Sequence, residues 1–263
     1  MDNLLDLVLL NFNIFILIVV RITGIFVAAP VFARNNLPAL MKIGLSVTIA
    51  FIMLPLLQNN NSLVIGSFIQ LAVYSITEFL IGILIGFIAF VYFTSIYLAG
   101  TIIDTQMGFG MVNVFDPQTN TQIPVMGNFY NNIISLLFIV VNGHHLLIKA
   151  LVNSYRILPM GFSININIES VNLMTRIFTE IFILAAKFSA PVLLAVFLAN
   201  VLLGILARTM PQMNVFVVGL PLKIIVGMIT VIISLRYLIP FSERLFDRMF
   251  IMIYEMLQIL SKG

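Results

Sequence analysis

Residues 63–100 form an apolar run of 38 residues carrying a single charge, Glu78, with no turn signal in its middle. A continuous helix of that length would measure about 57 Å at ~1.5 Å per residue, against a hydrocarbon core about 30 Å thick. A simple lipid-spanning helix is shorter. The run therefore either breaks into a tight hairpin or continues out of the bilayer inside a protein assembly. Gly82 and Gly86 stand at the G-x-x-x-G spacing that lets a second helix approach closely, a pattern also frequent by chance in apolar sequence. Glu78 has two readings: a proton or ion site, or a satisfied packing residue at a helix interface.

The rest of the chain agrees with a bilayer as solvent. Hydrophobic residues make up 61% of 263 and charged residues 9%, well outside the range of soluble domains. The fold class expected is all-α: a polytopic integral membrane protein of about six long hydrophobic helices with broken hairpins. The expected spans are residues 8–29, 43–57, 63–100, 129–152, 177–206 and 215–239. Asp2 and Asp6 precede the first run without Lys or Arg, so it lacks the basic region of a signal peptide and is expected to stay. In the connections and the span ends beside them, Lys149, Arg156, Arg176, Arg236, Arg244, Arg248 and Lys262 stand on one side and Arg34, Lys42 and Arg208 on the other, which places both termini in the cytoplasm.

Charges inside the spans are few. Arg21 either snorkels toward the interface, with Pro30 nine residues on, or has a buried interhelical partner. His144 and His145 are adjacent, so on a helix they point about 100° apart and clamp one metal poorly. Asn200, Gly204 and Arg208 share one helix face at i, i+4, i+8, which suggests a helix–helix contact. After Pro240 and Ser242 the pattern changes. Leu245, Phe246, Met249, Phe250, Ile253, Met256, Leu257 and Leu260 recur at helical spacing over a charged opposite face. This amphipathic tail, 241–262, suits the membrane interface or a docking partner.

Residues 100–127 differ from everything around them. Gly100, Gly108, Gly110 and Gly127 interrupt any helix, Pro117 and Pro124 remove backbone donors, and Asp116-Pro117 opens a turn. Met107, Phe109, Met111, Val112, Val114 and Phe115 make the stretch too apolar for a disordered linker. It is expected to be a flap or plug over a cavity.

Enzymatic chemistry has no foothold in the sequence. There is no G-x-x-x-x-G-K-[ST] loop, no G-x-S-x-G, no zinc spacing and no cysteine. Glu78, Lys187 and Lys223 form no visible acid–base pair. No enzyme, cofactor or metal is expected. The scattered basic residues do not imply nucleic acid. A stand-alone secondary transporter using Glu78 remains the alternative, because intramembrane charges and broken helices also mark transporters.

Long motifs carry a resemblance. Residues 100–117, G-T-I-I-D-T-Q-M-G-F-G-M-V-N-V-F-D-P, resemble the central loop of the FliR family, the R-type export-gate proteins of the bacterial flagellar type III secretion system. N-G-H-H-L-L-I-K-A-L-V-N-S-Y-R-I-L-P-M-G at 142–161, R-I-T-G-I-F-V-A-A-P-V-F at 21–32 and the stretch 190–223 are similar to that family as well. The related T-type export-apparatus proteins of virulence secretion systems share the architecture.

The resemblance implies a non-enzymatic subunit of a helical gate ring in the bacterial inner (cell) membrane, at the flagellar basal body. Unfolded flagellar proteins would pass through that ring. Implied partners are P-type and Q-type gate subunits, and the B-type export-switch and A-type export proteins of the same apparatus. It implies a part resembling the P-type subunit over 1–170 and one resembling the Q-type over 171–263. It implies a pore plug over 106–124, with Gln106, Met107, Gly108, Phe109, Gly110, Met111, Val114, Phe115, Asp116 and Pro117 as its gating residues. Within it, Glu78, Lys187, Asn200, Arg208 and Lys223 are expected at inter-subunit contacts.

Overall fold

A computed structural model describes residues 12–33, 38–58, 66–110, 124–162, 167–210, 212 and 214–262, with the backbone alone for Val215 and Phe216. Eight α-helices account for most of them: α1 Phe12–Ala28, α2 Ala39–Gln58, α3 Phe68–Met107, α4 Val125–Val140, α5 Gly143–Ile157, α6 Ile168–Thr209, α7 Val215–Ser234 and α8 Leu238–Lys262. Among the described residues there is no strand. In an apolar solvent each backbone donor and acceptor must be met within its own segment, and the helix does this. Four helical segments are long and apolar enough to cross a membrane, or up to five if the broken pair α4–α5 counts as one span. The protein is an all-α, polytopic membrane protein.

The long run is one helix. α3 has 40 residues and reaches Met107, through Gly100 rather than ending there. The expectation that Gly100 interrupts the helix fails because its missing side chain serves contact instead of a bend. The expected span 129–152 is also corrected: it breaks at Val141–Asn142 into α4 and α5. Asn142 takes the left-handed conformation, φ 58, which Asn tolerates better than most residues. The tail begins at Leu238, with Pro240 in its first turn.

Two compact units emerge from the packing. One comprises Met1–Val91, Asn142–Ile177 and Asp247–Gly263; the other comprises Tyr92–Val141 and Phe178–Phe246. In the first unit α1 meets α3 at backbone distance. A Cβ on Gly24 would sit 2.6 Å from the Phe79 carbonyl, and one on Gly86 would sit 2.7 Å from the Ala28 Cβ. The close approach expected of Gly82 and Gly86 is real, and α1 of the same chain is the helix that uses it. The face of α8 in this unit buries Met249, Phe250, Ile253, Met256, Leu257 and Leu260. Its polar side is tied to neighbours by an exposed Arg176–Glu255 ion pair and by Asn153 Nδ2 donating to Tyr254 Oη at 3.2 Å.

The second unit is held by aromatic side chains. Phe93, Phe138 and Phe246 form a cluster with ring centroids 5.1 to 5.8 Å apart. Tyr130 stands edge-on to Phe188 at 4.9 Å. Tyr92, fully buried, donates its hydroxyl to Glu180 at 3.0 Å. The outer faces of α6 and α7 are apolar and uncovered: Leu194, Phe197, Leu198, Ile205, Ile229 and Ile232 are all exposed. Such faces belong against lipid or other apolar helices. The amphipathic stripe of α8, read as facing a membrane interface or partner, is buried within the chain from Leu245 to Leu260.

Candidate functional site: the base of the central loop

Both arms of the stretch 100–127 are helical, and they meet. The incoming arm is the last two turns of α3; the outgoing arm is the start of α4. A Cβ on Gly100 would lie 2.5 Å from the Gly127 Cα and 2.6 Å from its nitrogen, so only glycine allows this approach. α4 lacks a capping residue of its own. Pro124 occupies the N-cap position and makes no side-chain hydrogen bond to the helix. Asp104 of α3 takes that role from the other arm. Its two carboxylate oxygens each accept the Met126 N–H at 3.0 Å, and one also accepts the Gly127 N–H at 3.2 Å. Asp104 is only 4% exposed, so these amides have no solvent to replace it. A negative charge at the positive end of a helix dipole adds to the attraction.

α3 then ends. Gly108 donates its N–H to the Asp104 carbonyl at 3.1 Å and takes φ 88, the left-handed terminus that glycine adopts without penalty. Met107 is fully buried; a Cβ on Gly227 would strike its Cγ, Sδ and Cε at 2.6 to 2.8 Å. Its thioether lies over that gap in α7. Gln106 is exposed, while Gly108, Phe109 and Gly110 are half-buried. Met111, Val114, Phe115, Asp116 and Pro117 lie outside the described residues. Asp104 was not singled out from the sequence. The signal was present: a lone acid near the end of an apolar helix, and a later helix entered through Pro124 without Ser, Thr, Asp or Asn.

Glu78 and Arg21 form a second centre, in the first unit. Arg21 is fully buried, so it does not snorkel; a partner 57 positions away removes the need. Its Nε donates to Glu78 Oε2 at 2.5 Å, Nη1 to Ser154 Oγ at 2.9 Å and Nη2 to the Leu158 carbonyl at 3.1 Å. The guanidinium carbon lies 3.8 Å above the Tyr155 ring. The Gly161 amide lies beside the Glu78 carboxylate. At 1% exposure it has no surface for a neighbouring subunit, and its partners belong to the same chain.

The other residues expected at inter-subunit contacts are placed differently. Lys187 and Arg208 are exposed, and Asn200 and Lys223 are half-buried. Beside Asn200 and Arg208 on their shared face, Gly204 looks into open space. The His144 and His145 rings stand 4.2 Å apart at the start of α5, and among the described residues no group of three or more His, Asp or Glu could hold a metal ion.

Known proteins are similar to this chain over most of its length. The family described as bacterial export proteins, family 1, matches residues 12–249. The flagellar biosynthetic protein FliR of Bacillus subtilis is 36% identical over 94% of both chains. Those of Escherichia coli, 31% identical over 90% of both, and Pectobacterium carotovorum, 33% identical over 93% of this chain and 92% of that one, are similar too. The chain, with its 40-residue apolar helix α3, belongs to the FliR family of bacterial export proteins.

Proposed function

We propose that this chain is a non-enzymatic subunit of the flagellar type III protein export gate. With P-type and Q-type subunits it would line the channel through which unfolded flagellar proteins leave, and its central loop would close that channel. Family membership carries the coarser statement: the chain is a component of the flagellar export apparatus in the membrane. Its place is the bacterial inner membrane, at the flagellar basal body, beside the B-type and A-type proteins of the apparatus. On this reading residues 1–170 are the P-type-like part and 171–263 the Q-type-like part.

The observation that favours a plug is the loop base. Asp104 and the Gly100–Gly127 contact hold the two helical arms together on either side of the loop. A plug must shift while its mounting stays fixed, and such a base supplies the mounting. Phe109, Met111, Val114 and Phe115 are then the sealing residues, because an apolar constriction excludes water and ions. Gln106, Gly108, Gly110, Asp116 and Pro117 are further gating residues of the same loop, and Met107 anchors it. The exposed apolar faces of α6 and α7, with Lys187, Asn200, Arg208 and Lys223 on the same two helices, suit packing against other subunits. A transporter using Glu78 has less support, since that carboxylate is already held by Arg21.

Co-purification tests the assignment. The chain is tagged at its C-terminus, extracted gently from native membranes, and its companions are identified by mass spectrometry. P-type and Q-type subunits in one large particle are the expected result. A small particle holding this chain alone contradicts it.

A further inference from the structure

The Arg21–Glu78 centre has a feature that an ordinary ion pair lacks: both of its ends lie against the same short turn, and the Arg21 end is hydrogen-bonded to it. α5 ends at Ile157, and its free C-terminal carbonyls need donors. Leu158, the residue at that cap, is buried, and its carbonyl accepts Arg21 Nη2 at 3.1 Å. A cation suits the negative end of the helix dipole. The chain then turns through Pro159, Met160 and Gly161, closed by Phe162 N–H donating to the Pro159 carbonyl at 3.2 Å. Gly161 is at φ 77, as the third residue of such a turn requires. Its amide lies beside the Glu78 carboxylate. The cation thus meets the turn's carbonyl and the anion meets its amide. Ser154, one turn back in α5, accepts the remaining arm of the guanidinium.

We propose that Arg21 and Glu78 are a positioning pair for the Leu158–Gly161 turn: a receptor matched in polarity to the turn's free carbonyl and amide, which fixes where the chain leaves α5 for α6. The turn's own sequence, L-P-M-G, offers no side chain that could satisfy these groups. Two charges from α1 and α3 supply the contacts instead. Gly24 and Gly82 let those helices come close enough to present the charges side by side. A buried ion pair is usually replaceable by apolar residues of similar volume at little cost. Here such a replacement would leave the Leu158 carbonyl without its donor.

This difference makes the proposal testable. The chain has no cysteine, so single cysteines report cleanly. Met160→Cys places a thiol in the turn, where Met160 is 4% exposed, and Ala50→Cys places a control at a fully buried site in α2. Each is introduced into the full chain, isolated with whatever assembles with it, and labelled with N-ethylmaleimide. The test variant is Arg21→Met with Glu78→Leu, which removes both charges while keeping the core filled. Labelling at position 160 should rise on the order of tenfold or more, as expected for the loss of the charged hydrogen bond to the Leu158 carbonyl, while position 50 stays protected. The charge swap, Arg21→Glu with Glu78→Arg, should expose position 160 as well, because it sets a carboxylate against a carbonyl and a guanidinium against an amide. Protection of both positions in the Met/Leu variant would overturn the proposal in favour of a plain ion pair. Exposure of both would also overturn it, showing a pair that holds the whole unit. A swap that restores wild-type protection would remove the polarity match.

Discussion

Replacing Asp104 by Ala should loosen the loop base by a calculable amount. The substitution removes every side-chain acceptor for the Met126 and Gly127 amides. Loss of a helix N-cap costs about 0.5–2 kcal/mol, and at 4% exposure water does not compensate, so the upper end applies. Taking about 2 kcal/mol, and 1.4 kcal/mol for each factor of ten, the open state of the base gains roughly 30-fold. Asp104→Asn keeps one oxygen and one amide partner while losing the charge. About 1 kcal/mol, or roughly fivefold, is expected. Hydrogen exchange read by mass spectrometry measures this directly, on peptides covering the first turn of α4 in the intact assembly. The order wild type, Asn, Ala should appear there and not in peptides from α5. Exchange in the Ala variant within twofold of wild type would refute the capping role, and an Asn variant faster than Ala would refute the reasoning behind the order.

Other perturbations probe the packing. Gly100→Ala should cost about 1–3 kcal/mol and lower the amount of folded chain in membranes, because backbone atoms of Gly127 stand 2.5 Å from the new Cβ. Gly44→Ala, in a helix with nothing within 4 Å, should instead gain about 0.5–1 kcal/mol, and a thermal-shift comparison of the pair checks the contrast. Phe138→Ala should cost about 3–5 kcal/mol, since its ring is fully buried between Phe93 and Phe246; an unchanged melting temperature would contradict this. At Gly204 an added Cβ meets no described atom within 4 Å, so Gly204→Leu should leave the chain's expression intact and reduce co-purification of other gate subunits. Undiminished recovery of those subunits would argue against a contact on the Asn200–Arg208 face.

What the sequence made legible follows from range. The apolar stripe of α8 is a local, period-3.6 signal, and all eight residues of it are buried. The same signal does not say what covers the stripe, so a membrane surface or partner remained open where the chain itself does the covering. Gly82 and Gly86 announced a close helix contact, but only three-dimensional packing identifies α1 as the neighbour. Gly100 shows the opposite error. Glycine can break a helix or permit contact, and the neighbouring sequence cannot separate the two uses. Arg21 and Glu78 stand 57 positions apart, and Asp104 and Met126 stand 22 apart. Nothing in spacing links them. Each was visible as an unexplained charge in apolar surroundings, which is the signal that a distant partner exists.

The most direct test of the gate account is electrical. The assembled gate is compared with one in which Gly108–Gln122 of this chain has been deleted, leaving Asp104, Gly127 and both helical arms in place. Ion conductance across the membrane is measured in cells producing each form, with Asp104→Ala measured alongside to separate a damaged base from a missing plug. A marked ion leak in the deletion, at unchanged assembly of the particle, is the expected result. Conductance equal to that of the intact gate, in a particle that has assembled, would contradict the plug.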